Sequence, residues 1–191
     1  MNSAPARTRG RRKLVLLALF AISPIVVSYA AYYWFTPGGR VNYGELLDAR
    51  PVPPISGAQA DGAPFRLSAL RGKWLLLVVT GRDCGGACLR ALYATRQART
   101  IQGREQERVI RVWLQPADAS SAAPEMLMLQ AELVAARVDR KSLAQLPVDA
   151  EVGGILLADP HGNLVLRYPA DPDIKRLAKD LERLLRASQI G

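Results

Sequence analysis

The chain is poor in side chains that bind metals or carry electrons: of 191 residues, one is histidine and two are cysteine. A single imidazole, His161, excludes a multi-histidine zinc or copper site within one chain. Two cysteines are too few for a disulfide-stapled scaffold, and leave one bridge, one dithiol or half of a soft-metal site. Aromatic residues make up 6% of the chain and are nowhere interleaved with a stripe of Lys and Arg, so nucleic acid is excluded as a partner. No carboxylate pair or Ser/His/Asp set is placed for acid–base or nucleophilic catalysis. Gly153-Gly154 lacks the following helix and the Lys-Ser/Thr that a phosphate loop needs. No internal repeat is visible.

What is present begins with charge. The net charge of +9 is uneven. Arg7, Arg9, Arg11, Arg12 and Lys13 stand in a stretch without any acid, which leaves +4 on the remaining chain. Residues 14–35 then read LVLLALFAISPIVVSYAAYYWF, 22 residues without a charge. At about 1.5 Å per residue such a helix spans a hydrocarbon core of about 30 Å. Pro24 is tolerable inside it, and Tyr32, Tyr33 and Trp34 suit the far interface. Basic residues before the apolar run hold residues 1–13 in the cytoplasm as a basic arm, and 14–35 acts as a signal-anchor whose partner is membrane lipid. The expected location is a bacterial inner membrane, crossed once, with the following domain in the periplasm. Two other readings stay open: a cleaved signal peptide ending at Ser28-Tyr29-Ala30, and a mitochondrial address. Each places the domain where disulfides persist.

Residues 36–59 hold Pro37, Pro51, Pro53 and Pro54 among several glycines, which predicts a linker. The domain is then expected over 60–191. Phe65-Arg66-Leu67 alternates as a short strand. Residues 74–80 (WLLLVVT) form an apolar run suited to a strand buried on both faces. A loop over 81–86 carries Cys84, and Cys88, Leu89, Ala91, Leu92, Ala94 and Thr95 recur at helical spacing over 87–101. Residues 109–114 alternate as a strand, and 124–138, Leu/Met/Ala-rich with Pro124 and Glu125 at its start, predicts a helix. Strands over 154–158 and 163–167 flank Asp159-Pro160-His161-Gly162-Asn163, which has hairpin chemistry. Residues 171–187 close as an amphipathic helix. This order predicts an α/β domain: a mixed central sheet with helices on both faces.

Cys84 and Cys88 fall between a buried strand and a helix, where unpaired N–H groups and the helix dipole favour a thiolate. Inside a regular helix, residues four apart have Cβ atoms about 5–6 Å apart, while a disulfide wants about 3.5–4.5 Å. Cys84 is therefore expected just before the helix, with Gly85 and Gly86 letting the backbone fold back. The pair suits disulfide exchange, with Cys84 attacking and Cys88 resolving, or Cu(I) binding through two thiolates. A structural bridge is the alternative, although a five-residue loop removes little chain entropy. Asp83 would disfavour a thiolate close by and Arg82 would favour one. His161 reads as a solvated turn residue, and Met126 and Met128 as core or gap-fillers.

FRLSALRGKWLLLVVTGRDCGGAC, followed by ILLADPHGNLVLRYP, resembles the Sco (SCO/SenC) copper-chaperone branch of the thioredoxin-like superfamily, over roughly residues 60–190. The resemblance implies a thioredoxin-like fold, a single N-terminal anchor, and a role in assembling the Cu(A) centre of cytochrome c oxidase. A respiratory oxidase subunit or assembly factor is then the expected partner. Copper is the metal implied, with Cys84 and Cys88 as the two thiol ligands. Two positions depart from the pattern. Leu89 stands where relatives have a proline after the second cysteine, and no histidine lies near Glu151, where their copper-binding histidine falls. The facing proline of ordinary thioredoxins is replaced by Gly153-Gly154. The implied activity is thiol–disulfide exchange with, or metal delivery to, an oxidase; the alternative is a non-catalytic assembly factor with a structural cysteine pair.

Overall fold

The computed structural model describes residues 6–34, 42–120, 132–149 and 152–188. They fall into two compact units, Met1–Val41 and Asn42–Gly191.

The described residues of the first unit form one helix, α1 (Ala6–Trp34). Its stretch Gly10–Trp34 is long and apolar enough to cross a membrane. Pro24 has no N–H, so the carbonyl of Phe20, four residues back, loses its helical donor. The Ser23 hydroxyl donates to that carbonyl at 3.0 Å. An apolar solvent demands such a repair, because it offers no water to the freed oxygen.

In the second unit, eight strands among the described residues form one sheet in the order β1-β8-β7-β4-β5-β6-β2-β3. The strands are β1 (Glu45–Pro51), β2 (Ser56–Gln59), β3 (Pro64–Arg66), β4 (Trp74–Val79), β5 (Val109–Pro116), β6 (Leu133–Val138), β7 (Gly154–Ala158) and β8 (Asn163–Tyr168). The helices are α2 (Gly86–Ile101), the one-turn α3 (Arg140–Leu143) and α4 (Ile174–Ala187). Strands β4, β5 and β6 run parallel, and β7 lies antiparallel to β4. Every residue of β4 is buried, as its unbroken apolar run predicts.

Strand alternation sorts the core into two layers. Trp74, Leu76, Val78, Trp113, Ile155 and Leu157 face α2 and α4. Leu75, Leu77, Val79, Val112, Leu114 and Leu156 face the other way, under Ile55, Phe65, Leu67, Leu143 and Leu146. Both long helices thus share one face. Among the described residues, the opposite face is closed by α3, a 3₁₀ turn at Leu67–Leu70 and the β2–β3 hairpin. Helix α4 starts where the Asp173 carboxylate accepts the Arg176 N–H at 2.9 Å, and buries Leu177, Ala178, Leu181 and Leu185.

Two expectations are corrected. Much of the segment expected as linker 36–59 is sheet: β1 pairs with β8, and β2 pairs with both β6 and β3. The prolines misled because β1 is an edge strand, where a missing N–H leaves no ladder bond unmade. The helix expected over 124–138 does not hold at its end, where β6 lies parallel to β5 from Leu133 to Val138. Pairing with a buried neighbour overrides the helix propensity of Leu133, Ala135 and Ala136. The rest of that prediction, with Met126 and Met128, lies outside the described residues.

The start of the domain is fastened by a buried acid. Asp180 on α4, 2% exposed, accepts the Gly44 N–H at 2.9 Å and the Tyr168 hydroxyl at 3.4 Å. Burial, with the Asp180 charge beside it, pushes the Tyr168 phenol up, so it stays protonated and donates. The Tyr43 hydroxyl accepts the Asp173 N–H at 3.0 Å, and the Arg176 guanidinium lies 4.3 Å above the Tyr43 ring.

Candidate functional site

Strand β4 delivers the chain to the cysteines. After Val79, the Thr80 N–H donates to the Leu114 carbonyl at 3.2 Å, and the buried Trp113 indole N–H donates to the Thr80 hydroxyl at 2.9 Å. The loop then carries Cys84, and α2 opens at Gly86 with Cys88 in its first turn. Cys84 and Cys88 are joined as a disulfide with Cα atoms 5.1 Å apart. Cys84 therefore lies outside the helix, as the spacing requires. Cys88 is buried and packs with Ala91, Leu92 and Trp113, while Cys84 is half-buried. The glycines act differently from expectation. Gly85 is extended, with φ −81°, and Gly86 lies within α2, so neither uses the left-handed freedom of glycine. Their lack of side chains leaves the approach to the bridge uncovered.

The loop is pinned from the segment after β5. The Ser120 hydroxyl donates to the Asp83 carboxylate at 2.6 Å, and the Ser120 N–H donates to the Arg82 carbonyl at 3.1 Å. Asp83 is thus occupied by Ser120. The loop after β5 is held in turn by Arg140, whose guanidinium grips both Asp118 oxygens at 3.1 and 2.9 Å. Those bonds hold the Asp118 carboxyl below the usual aspartate range, with the Arg82 charge adding a smaller push in the same direction. A carboxyl lowered in the folded state contributes stability above its unfolded pKa and loses it as pH falls through the folded value. The clamp is therefore expected to persist until the pH is below the ordinary aspartate range. An NMR titration of the Asp118 carboxyl carbon checks this: an ordinary midpoint refutes it, and Arg140→Gln should restore one.

The N-terminal turn of α2 has no side-chain cap and no acid. Its leading N–H groups and the helix dipole thus remain available to a negative sulfur beside them. In the loop before β7, Gly153 has φ +81°, and a Cβ there would stand 2.5 Å from the Val79 carbonyl. Asp149 shapes that loop, accepting the Val152 N–H at its carboxylate (3.0 Å) and the Gly153 N–H at its carbonyl (2.8 Å). Gly153-Gly154 thus meet the end of β4 from which the chain leads to the cysteines. Leu89, the residue after Cys88, is 46% exposed.

The other candidates do not converge on the pair. Leu75 is paired with Ala158 and Val79 with Gly154, so the hairpin bearing His161 lies at the end of β4 opposite the cysteines. His161 faces Asp159 at 3.9 Å. Glu151 lies outside the described residues. Among the described residues no three His, Cys, Asp or Glu groups come together as a metal site. Among the described residues the donor set is two sulfurs, one short of the two thiols and histidine that the Sco resemblance implies.

Sequence reasoning missed several supports of the site. Arg111, 1% exposed, donates to the Leu92 carbonyl of α2 at 2.6 Å. Burial lowers its pKa to about 10, with Arg96 and Arg99 adding to the effect, so it is still charged at neutral pH. The Trp113–Thr80 and Ser120–Asp83 bonds link residues 33 and 37 positions apart, and no local pattern signals them. The site holds a disulfide between a half-exposed and a buried cysteine.

A parallel β4–α2–β5 crossover, an antiparallel β7–β8 hairpin and a cysteine pair at the strand-to-helix junction together define a thioredoxin-like protein. The family described as transmembrane-like, thioredoxin-like, C-terminal domain matches residues 74–188, and the chain belongs to it. A comparison with curated proteins finds no match. Among solved structures, apo Sco1 from Thermus thermophilus is similar with a TM-score of 0.58 at 20% identity, over 78% of this chain and 99% of that one. Copper-bound ScoI from Arabidopsis thaliana gives 0.58 at 16% identity, over 73% and 100%. A DsbF homologue from Corynebacterium diphtheriae gives 0.59 at 18% identity, over 78% and 97%. The likeness to Sco proteins is one of fold, and copper-binding and DsbF-type proteins share it.

Proposed function

We propose that this chain is a membrane-anchored thiol–disulfide protein whose Cys84–Cys88 pair exchanges with cysteines of a respiratory oxidase or its assembly factors. The observation that carries this is the pairing of a half-exposed Cys84 with a buried Cys88 at the uncapped start of α2. In the reducing direction, the Cys84 thiolate attacks a partner disulfide and forms a mixed disulfide, expelling one partner thiolate. The Cys88 thiolate then attacks the Cys84 sulfur, and the second partner thiolate leaves. The partner gains two electrons and, with two protons, becomes a dithiol; the chain becomes the disulfide. A dithiol donor must reduce it again. Residues 14–35 act as the anchor, with the basic arm before them in the cytoplasm and the domain in the periplasm of a bacterial inner membrane. The oxidase assignment draws on the resemblance to the Sco branch, with the shared fold as support. Copper has no part in this exchange: among the described residues the site brings together two cysteine sulfurs and no third soft ligand.

The test has two arms. Full-length protein in detergent, equilibrated in glutathione redox buffers, should show one reversible two-electron couple, and the reduced form should alkylate first at Cys84. A bridge that cannot be reduced without unfolding would sink the exchange reading. Cells lacking the chain should lose oxidase activity and regain it with the wild type but not with the Cys84→Ser/Cys88→Ser double variant. Rescue by the double variant would instead establish a non-catalytic assembly factor.

A further inference from the structure

Charge is unevenly spread over the domain. Residues 42–191 hold twenty Lys and Arg against seventeen Asp and Glu, a balance of +3. Helices α2 and α4 alone hold eight of those cations and two of the acids, +6, which leaves −3 on everything else. The two helices lie on one face of the sheet, where the Gln102 side chain beyond α2 donates to the Ala178 carbonyl of α4 at 3.1 Å. Of their two acids, Asp180 is buried and Glu182 alone is exposed. Lys175, Lys179 and Arg183 follow one another at four-residue spacing on the side of α4 away from Leu177, Leu181 and Leu185, and Arg186 continues the row. Like charges at this spacing repel and destabilise an isolated helix. Folding gives no reason to align them, whereas an external anionic surface does. The same layer exposes apolar side chains: on α2, Leu89, Tyr93 and Ile101 are 46%, 54% and 59% accessible. A basic surface set with aromatic and aliphatic side chains suits a membrane interface.

We propose that the α2–α4 face docks on the anionic headgroups of the membrane that residues 14–35 cross. The inference rests on the reading of those residues as the anchor. Charge complementarity and chain length both support this occupant. Residues 35–41 join the anchor to the domain with at most about 25 Å of extended chain. The chain then enters the domain at Tyr43 and Gly44, and both are fastened to α4. Tyr43 lies under the Arg176 guanidinium and accepts the Asp173 N–H, while the Gly44 N–H donates to Asp180. The tether therefore ends on the helix that carries most of the cations. A surface on so short a tether needs little intrinsic affinity, because the link itself supplies a high local concentration. Each cation near an anionic headgroup layer contributes roughly fivefold to the docked population.

The experiment is lysine footprinting on the full chain in lipid nanodiscs. Residues 42–191 contain four lysines: Lys175 and Lys179 on α4, Lys73 before β4, and Lys141 on α3 across the sheet. Lys141, Lys175 and Lys179 are all exposed, so each reacts freely in the absence of a membrane contact. Acetylation by a water-soluble succinimidyl ester is followed at each site by mass spectrometry. In nanodiscs of equal parts phosphatidylglycerol and phosphatidylcholine, Lys175 and Lys179 should react roughly fivefold more slowly than in phosphatidylcholine alone, with Lys141 unchanged. Salt at 1 M, with a screening length of about 3 Å, should restore their rate. Arg186 is 77% exposed, so Arg186→Glu should leave the fold intact and remove most of the protection. Lys141→Glu makes the same change in net charge on the other face and should keep it. Equal rates in the two lipids, protection that Lys141 shares, or equal losses in Arg186→Glu and Lys141→Glu would overturn the inference. Protection in native membranes that is absent in nanodiscs of their extracted lipids would assign the face to an acidic protein, and overturns it as well. Alkaline carbonate extraction separates the two readings. A chain released by carbonate loses the anchor and this inference together; a chain retained by it, with lysines that react alike in both lipids, loses this inference alone.

Discussion

Replacing Gly153 with valine is expected to lower the unfolding free energy by about 3 kcal/mol, read as a drop in denaturant midpoint at constant slope. Two separate costs meet at this position. The backbone has φ +81°, a region that a β-branched residue adopts only under strain. The new Cβ would also stand 2.5 Å from the Val79 carbonyl oxygen and 3.3 Å from the Thr80 Cα, both backbone atoms that cannot rotate away. Gly62→Ala separates the two costs. Gly62 has φ +84° with nothing within 4 Å of the added carbon, so it should show the torsional cost alone, about 1 kcal/mol. Equal losses at the two positions would mean that the loop before β7 can retreat from the end of β4. A displaced loop would also disturb Thr80, and with it the approach to Cys84.

Trp113→Ala should cost about 3–5 kcal/mol, by loss of buried area and by the cavity left between β5 and α2. The indole is fully buried, packs in the same cluster as Cys88, Ala91 and Leu92, and donates to Thr80. Thr80→Val keeps the shape but strands the indole N–H, so about 1–3 kcal/mol should be lost without a cavity. Urea unfolding of the three proteins distinguishes the terms. If Thr80→Val is neutral, the bond between β5 and the start of the cysteine loop does not hold that loop. If Trp113→Ala costs less than about 1 kcal/mol, the core beneath Cys88 is looser than its complete burial indicates.

The parts of the fold legible in the sequence are those in which one short segment meets one environment. The run at residues 74–79 is apolar throughout because both faces of β4 are covered, and a solvated face would have broken it with polar residues at every second position. The 159–163 turn and the α4 stripe are local too, and both appear as expected. The position of Cys84 before α2 follows from disulfide reach alone. Strand β6 was illegible because its residues favour a helix in isolation and become a strand only by pairing with β5 along six consecutive positions. Strands β1 and β2 were hidden by prolines and glycines that an edge or a bulge accommodates: β1 changes register between Leu46 and Arg50 and ends on Pro51. Close packing accounts for one further glycine, since a Cβ at Gly57 would come 2.0 Å from the Arg137 carbonyl of β6. The environment of the cysteines was the least legible part. Arg90 and Asp171 are 81 positions apart, and Ser120 and Asp83 are 37 apart, so their meetings depend on the finished sheet.

The buried carboxylate of Asp180 has a mechanical consequence. A pull on the chain at residue 42 does not first load the edge strand β1, whose ladder to β8 could open one pair at a time. It first meets the Gly44 N–H bonded to Asp180 and the Tyr43 ring set beneath Arg176, both braced on α4. The Tyr43 ring also lies 5.9 Å from that of Tyr168, the last residue of β8, and Tyr168 is paired with Ile155 beside the end of β4 that leads to the cysteines. Tension is thus received as shear against a packed helix at the cysteine end of the sheet, and the strands behind it stay unloaded until that grip fails.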